Sequence, residues 1–177
     1  MKQKYFYSTL LLIWSIFSFG QTLDQQNAPA GSGGGGFAVS TTQNVGQSFT
    51  ANLTGTLAKV NVYNNSTSST GDFRLTIYNG SGYGGSILGT QDFTITTAPV
   101  GEYEIPVSTT INITAGNVYT MRLDGITTGN GNFLAPSGDI YANGVLYYTG
   151  GSSFSSYDLW FKTFLNVPTP ATHLNFD

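Results

Sequence analysis

The sequence predicts an all-β fold, a two-layer antiparallel β-sandwich of about eight to ten strands. Apolar and polar residues alternate with period two in several short segments, which is the pattern of half-buried strands. Asn-Gly and Asp-Gly pairs separate these segments at 79–80, 124–125, 130–131 and 143–144. Such pairs supply the positive φ angles that tight hairpins need. No segment between them shows the periodicity of a helix.

The alternation is clearest in residues 73–78, where Phe73, Leu75 and Ile77 share one face and should be buried against a second sheet. Similar patterns predict strands over 47–51, 57–63, 91–96, 103–107, 111–114, 119–123, 145–148 and 159–163. In the last of these, Trp160 lies between two residues that should face the core. We therefore expect either that Trp160 faces outward or that the register there shifts by one.

The first twenty residues have the pattern of a secretory signal peptide. Lys2 and Lys4 precede an apolar run over 10–17, and small residues at 18–20 lead into a polar chain at Gln21. The run is too short to cross a bilayer as a helix, so we predict cleavage after Gly20 and a secreted, extracellular or cell-surface location. An uncleaved N-terminal anchor is the alternative.

The remaining chain divides into a linker, one domain and a tail. Residues 21–36 end in a Gly-rich run and predict a flexible linker. Residues 37–165 hold the predicted strands and form the β-sandwich domain. Residues 166–177 begin with a Pro-containing stretch, which predicts a second linker and the possible start of a further domain. Neighbouring domains of the same polypeptide are therefore expected partners.

Composition excludes several function classes. Removal of Lys2 and Lys4 with the signal peptide leaves four basic and nine acidic residues, so the formal net charge changes from −3 to −5. A sparse acidic surface repels phosphate, which makes nucleic acid an unsuitable partner. There is no cysteine, so no disulfide stabilises this exported domain.

Five segments, in order, resemble an uncharacterised jelly-roll module of secreted, multidomain bacterial surface proteins. They are residues 47–51 (Gln-Ser-Phe-Thr-Ala), 55–57 (Gly-Thr-Leu), 75–80 (Leu-Thr-Ile-Tyr-Asn-Gly), 114–120 (Thr-Ala-Gly-Asn-Val-Tyr-Thr) and 157–163 (Tyr-Asp-Leu-Trp-Phe-Lys-Thr). The resemblance implies a jelly-roll sandwich similar to carbohydrate-binding modules, without catalytic residues. Residues 171–177 resemble the first strand of a laminin-G-like or concanavalin-like domain; an ordinary tail is the alternative.

The sequence contains few residues that could form a catalytic site. The one histidine, His173, lies in the tail, so a Ser-His-Asp or Cys-His arrangement cannot form within the domain. Glu102 and Glu104 are the one close carboxylate pair, and on a strand they would share a face at a spacing that suits an inverting glycosidase. Paired acids on one strand more often mark its solvent face. We predict a non-catalytic module, with a glycoside hydrolase-like enzyme as a distant alternative.

Calcium is the metal that the sequence best accommodates. Asp139 and Asn143 flank a short segment in a Gly-bounded loop, and Asp158 opens the last predicted strand. Their oxygen atoms are the hard ligands that Ca²⁺ prefers, so we predict a structural calcium site at Asp139, Asn143 and Asp158. The alternative is that Asp139 caps a turn and Asp158 accepts backbone N–H groups.

Tyrosines in Gly- and Ser-rich loops indicate the kind of ligand that the domain could bind. Flat aromatic rings stack on the apolar faces of sugars, while hydroxyl and amide neighbours bind their polar groups. We therefore predict that Tyr141, Tyr147, Tyr148 and Tyr157 contact a polysaccharide or a cell-surface glycan, with Tyr83 as a further loop tyrosine. The alternative is that these rings pack the ends of the sandwich and that the module is a purely structural spacer.

Overall fold

The chain folds into antiparallel β-strands. The computed structural model describes residues 19–30, 35–97 and 99–168, and within these ranges it contains twelve strands and no helix. The strands are β1 (Phe19–Asn27), β2 (Gly35–Val39), β3 (Asn44–Thr50), β4 (Gly55–Asn64), β5 (Thr70–Asn79), β6 (Ile87–Ile95), β7 (Gly101–Pro106), β8 (Asn112–Ile113), β9 (Val118–Ala135), β10 (Leu146–Tyr148), β11 (Ser152–Phe154) and β12 (Phe161–Pro168). The prediction of an all-β antiparallel fold is confirmed.

The strands pair in two sheets that share one long strand. In sheet A, β1, β12 and β4 are neighbours, β7 and β8 follow along the other side of β4, and β2 pairs with the end of β9. Sheet B has the order β6-β5-β9-β3-β10-β11. Strand β9 passes from sheet B to sheet A near Thr127, which has a left-handed φ of 52°.

The core is built from the inner faces of both sheets. Phe73, Leu75 and Ile77 are each at most 1% exposed, as the alternation predicts. They pack with fully buried residues of the other strands, among them Val45, Phe49, Val60, Val62, Ile105, Met121, Leu123, Phe133, Phe161 and Leu165. Burial of such side chains supplies most of the driving force for folding.

Strand β1 corrects the predicted domain boundaries. It pairs with β12 along its length, from Phe19 opposite Pro168 to Asn27 opposite Phe161. The linker prediction for 21–36 is therefore wrong for residues 21–27 and for 35–36, which begin β2. The linker predicted from residue 166 is wrong for 166–168, which end β12. Residues 19–20 of the predicted signal peptide 1–20 lie in β1, while its residues 1–18 and the tail beyond 168 lie outside the described residues.

The polar sequence of β1 explains why alternation does not reveal it. Asp24 and Gln25 are both buried, at a point where the register with β12 shifts. Asp24 Oδ1 accepts the backbone N–H groups of Asn52 (2.8 Å) and Leu53 (2.7 Å). Hydrogen bonds, rather than apolar side chains, hold this strand in place.

Trp160 faces away from the core and is nevertheless covered. Its neighbours Leu159 and Phe161 are fully buried, and Trp160 itself is 6% exposed. Its ring lies on the outer side of sheet A, with its centroid 5.6 Å from that of Tyr63 and 5.0 Å from Lys162 Nζ. The first of the two alternatives for Trp160 is therefore the one observed.

Candidate functional site

Tyr141 belongs to the core. It is 7% exposed, its ring meets Phe161 edge to face at 5.1 Å, and its hydroxyl donates to Gln25 Oε1 at 2.7 Å. Burial raises the pKa of Tyr141 above its usual value. The prediction that this ring contacts a ligand at the surface is wrong, because the polar strand β1 provides its partner inside the sandwich.

Tyr148 and Tyr157 pack at one end of the sandwich. Both rings meet Phe37 edge to face, with centroid distances of 5.0 and 5.5 Å, and Phe154 completes the group. Gln43 Nε2 donates to the Tyr148 hydroxyl at 2.8 Å. We call these four rings the end cluster. Phe37, Tyr148 and Tyr157 lie against the core, as the packing alternative predicts.

Tyr147 points to the other side of β10, because successive residues of a strand alternate. It therefore lies on the outer face of sheet B. Cross-strand pairing places it in one row with Gly46, Arg122 and Thr76, from β10 across β3 and β9 to β5. Of the four predicted tyrosines, Tyr147 alone is on this face.

Gly46 leaves a gap in this row, and Tyr83 fills it. A Cβ at Gly46 would lie 2.7 Å from the Tyr83 hydroxyl oxygen and 2.4 Å from the Met121 carbonyl oxygen, so a larger residue would displace the ring. The Tyr83 hydroxyl donates to the Tyr147 carbonyl at 3.2 Å. Its ring centroid is 5.7 Å from Tyr78 and 5.6 Å from Tyr147. Burial raises the pKa of Tyr83, and the nearby Arg122 opposes this effect.

Arg122 joins two of these rings, Tyr78 and Tyr83, to a carboxylate. Its guanidinium carbon is 5.3 Å from the ring centroid of Tyr78 and 5.1 Å from that of Tyr83. Its Nε donates to Asp124 Oδ2 at 2.7 Å. Tyr78, Tyr83, Arg122, Asp124 and Tyr147 together form what we call the tyrosine–arginine face. The exposed Ser81 borders it, with its hydroxyl 2.8 Å from that of Tyr147.

A second arginine extends the charged surface of sheet B. Arg74 lies opposite Asp124 in the pairing of β5 with β9. It binds Asp92 through two hydrogen bonds, Nε to Oδ1 (2.6 Å) and Nη2 to Oδ2 (2.8 Å). These bonds hold the pKa of Asp92 below its usual value. Both arginines of the chain thus lie on the outer face of sheet B, each beside an aspartate.

The loop that is predicted to bind calcium is held in place by hydrogen bonds to Asp158. Asp158 Oδ1 accepts Gln47 Nε2 at 3.0 Å, and Oδ2 accepts the backbone N–H groups of Ile140 and Tyr141, both at 2.9 Å. Asp139 and Asn143 are exposed on the same loop. Burial raises the pKa of Asp158, and the negative charge of Asp139 adds to this rise. Among the described residues, no group of three or more Asp, Glu, His or Cys side chains could hold a metal.

Calcium at Asp139, Asn143 and Asp158 remains a proposal that chelation tests. An ion that binds only the folded state stabilises it, so excess chelator should lower the melting temperature. An unchanged melting curve would leave the loop held by the hydrogen bonds of Asp158 alone, because their N–H donors already surround both carboxylate oxygens.

Removing the Tyr141 hydroxyl should destabilise the module. Replacement of Tyr141 by Phe leaves Gln25 Oε1 without this donor in a buried position, and we expect a loss of about 1–2 kcal/mol. Urea unfolding measures it. The matched variant is Tyr147→Phe, whose hydroxyl is exposed with Ser81 and whose loss should change stability by less than about 0.5 kcal/mol. Equal effects of the two substitutions would contradict the buried position of Tyr141.

The carboxylate pair of β7 lies on the exposed side of sheet A. Lys59 Nζ is 2.6 Å from Glu104 Oε2, and Lys162 Nζ is 2.7 Å from Glu102 Oε2. Partial burial opposes ionisation of Glu102, but hydrogen bonds from Lys162 and Asn61 hold its pKa below the usual value. A general acid needs a raised pKa, so this environment is the opposite of the one that a glycosidase acid requires.

Two clefts lie away from the predicted site residues. One, of about 280 Å³, is lined by Thr54, Gly55, Thr56, Asn112, Ile113, Thr114, Asn166 and Pro168. The other, of about 160 Å³, is lined by Ala38, Ser66, Ser68, Ser69, Asn130, Gly131 and Asn132. Neither contains any of the predicted tyrosines.

The alternation that directs Phe73, Leu75 and Ile77 to the core places Arg74 and Tyr78 on the opposite face of their strand, and the alternation of 119–123 does the same for Arg122. The signal was present, because both segments alternate cleanly. What it lacked was the pairing of β5 with β9, which brings the two segments side by side across about fifty residues of chain.

Comparison with known proteins indicates neither a family nor a function for the chain. No protein-family model and no curated protein matches the chain. A chain in the structure of infectious bursal disease virus, Gx strain, is 14% identical with a TM-score of 0.23, and the match covers 88% of this chain and 42% of the viral one. The chain thus spans less than half the length of the viral chain, and a likeness this weak carries no argument. In the described part of the chain, no helix has the length and apolar character needed to cross a membrane.

Proposed function

We propose that this chain is an exported, non-catalytic β-sandwich module of the jelly-roll type that binds a polysaccharide or a cell-surface glycan. The proposed binding surface is the tyrosine–arginine face on the outer side of sheet B. Its location outside the cell rests on the signal-peptide pattern of residues 1–20.

The observation that carries the proposal is that Tyr147 lies on the same outer face of sheet B as two arginine–aspartate pairs. A half-exposed ring offers a flat apolar surface for one face of a sugar. Arg122–Asp124 and Arg74–Asp92 supply planar donors and paired acceptors on the same surface, and such groups bind vicinal hydroxyls through two hydrogen bonds at once.

The scarcity of charged residues makes the ion pairs of this surface informative. Only 8% of the residues of the chain are charged, against ~25% in ordinary domains. The outer face of sheet B nevertheless carries two of the four ion pairs among the described residues, and the outer face of sheet A carries the other two. Exposed ion pairs contribute little to stability, so folding alone does not account for their presence.

A structural spacer is the second candidate. It is favoured by the packing of Tyr141 within the core and of Tyr148 and Tyr157 at one end of the sandwich, because these rings do not form an exposed surface. A spacer needs no ligand, and the two candidates therefore differ in binding.

Affinity electrophoresis in gels that contain a polysaccharide tests the proposal, after a glycan array has chosen the polysaccharide. We expect Tyr147→Ala to weaken binding about five- to tenfold, since one stacked ring contributes about 1 kcal/mol, with little change in stability. Arg122→Ala should weaken it at least as much.

The matched control is Tyr63→Ala, which removes a partly exposed tyrosine from the outer face of sheet A. It should leave retardation unchanged. A folded wild-type module that no polysaccharide retards, or equal losses from Tyr147→Ala and Tyr63→Ala, would favour the spacer.

A further inference from the structure

Three side chains with complementary chemistry meet on the outer face of sheet A. Lys162 of β12 lies directly opposite Asn61 of β4, and Glu102 comes from β7 on the other side of β4. Directly opposite residues of antiparallel strands have Cβ atoms about 5 Å apart. A lysine amine, an asparagine amide and a carboxylate are thus gathered from three neighbouring strands.

Glu102 bridges the other two groups. Lys162 Nζ lies 2.7 Å from Glu102 Oε2, and Asn61 Nδ2 donates to Glu102 Oε1. The carboxylate can only accept, so the asparagine amide is oriented with its NH₂ toward Glu102. The amine, the amide and a group able to carry a proton between them are therefore already oriented.

Asn61 is not an ordinary surface amide. It is 6% exposed, and its Oδ1 is buried with no hydrogen-bond partner among the described residues. Trp160 borders the same site, with its ring centroid 5.0 Å from Lys162 Nζ. A buried carbonyl without a donor needs an explanation, because almost all such groups in proteins are hydrogen-bonded.

We propose that Lys162 and Asn61 form an intramolecular isopeptide bond, with Glu102 as the proton carrier. The bond would join β12 to β4 covalently. In an exported domain without cysteine, such a cross-link would serve the purpose that a disulfide serves elsewhere, since it restricts the unfolded chain.

The reaction balances without any further reactant. Lys162 transfers a proton to Glu102, and the neutral Nζ attacks Asn61 Cγ. The Nζ–Cγ bond forms and the Cγ–Nδ2 bond breaks, while Glu102 returns the proton to the departing nitrogen and takes up one from Nζ. Ammonia leaves and is released as ammonium once it takes the proton from Glu102. The chain loses one ammonia in mass and the positive charge of Lys162.

The first proton transfer is uphill, because lysine and glutamate differ by ~6 units in their ordinary pKa values. Although partial burial opposes ionisation of Glu102, the hydrogen bonds from Lys162 and Asn61 lower its pKa further. The shared hydrogen bonds to Glu102 and the cross-strand pairing hold the amine and the amide close together, which offsets this because it makes the reaction effectively unimolecular. We therefore expect the bond to form slowly after folding.

Intact mass spectrometry of the folded, full-length protein tests the proposal, with samples taken over prolonged incubation. We expect the mass to fall by one ammonia. An N-terminal glutamine can lose ammonia too, so a tryptic map must locate the change. Trypsin should fail to cut after Lys162, and the peptide that contains Lys162 should be joined to peptide 60–74, which contains Asn61.

Two variants make the result specific. Glu102→Gln keeps the amide and the amine but cannot carry the proton, and it should retain full mass. Lys59→Arg alters the neighbouring ion pair with Glu104, which includes no asparagine, and it should still lose ammonia. A folded wild-type protein with full mass and normal cleavage after Lys162 overturns the proposal, and so does a cross-link that persists in Glu102→Gln.

Discussion

A module that begins at Ala28 instead of Gln21 will not fold stably. The truncation removes β1 from Gln21 onward and exposes the backbone edge of β12 along its length. It leaves the N–H groups of Asn52 and Leu53 without Asp24, and the Tyr141 hydroxyl without Gln25. The lost hydrogen bonds, which include the backbone pairing with β12, contribute about 0.5–1.5 kcal/mol each, so the total, on the order of 5 kcal/mol, approaches the stability of a whole domain.

Circular dichroism with urea unfolding measures this loss. The matched control is Gln26→Ala, which changes an exposed side chain of the same strand and should shift stability by less than about 0.5 kcal/mol. If the protein that starts at Ala28 unfolds at the same urea concentration as the one that starts at Gln21, then β1 adds nothing and residues 21–27 act as a linker after all.

Leu75→Ala will destabilise the module by about 2–5 kcal/mol. Leu75 is 1% exposed in the centre of β5, and its removal leaves a cavity among side chains that cannot fully collapse. The adjacent Arg74→Ala provides the comparison, because it alters an exposed ion pair on the opposite face of the same strand. Its effect should stay within about 1 kcal/mol.

If the free energy of unfolding falls with urea concentration at the same slope in both variants, a shift of the urea midpoint reports a change in stability alone. Similar losses from Leu75→Ala and Arg74→Ala would mean that the two faces of β5 are assigned the wrong way round.

The strands that the sequence predicts are those whose burial follows apolar alternation. Strand β5 and the first part of β9 are examples, because every second residue is apolar and enters the core. Strand β1 fails this test since its inward residues, Asp24 and Gln25, are polar and satisfied by hydrogen bonds. Their hydrogen-bond partners are Asn52, Leu53 and Tyr141, which are distant in sequence. No local sequence pattern can therefore predict these bonds.

The site was only partly predictable for a related reason. Loop composition identified the tyrosines of 139–158, but the direction of each ring depends on its parity within β10 or on a partner from another strand. Tyr147 and Tyr148 are adjacent, and one lies on the tyrosine–arginine face while the other lies in the end cluster. Arg122 and Arg74 come onto one face only because β5 pairs with β9, and the sequence of neither strand specifies this pairing.

The most direct test of the binding proposal is an NMR titration of the isotope-labelled module with an oligosaccharide of the polysaccharide that retards it. The account predicts that shifts of backbone and side-chain N–H signals concentrate at Ser81, Arg122 and Tyr147, and that they extend to Arg74 on β5. Shifts that centre on the end cluster or on the cleft between Thr54 and Pro168, with sheet B unchanged, would contradict it.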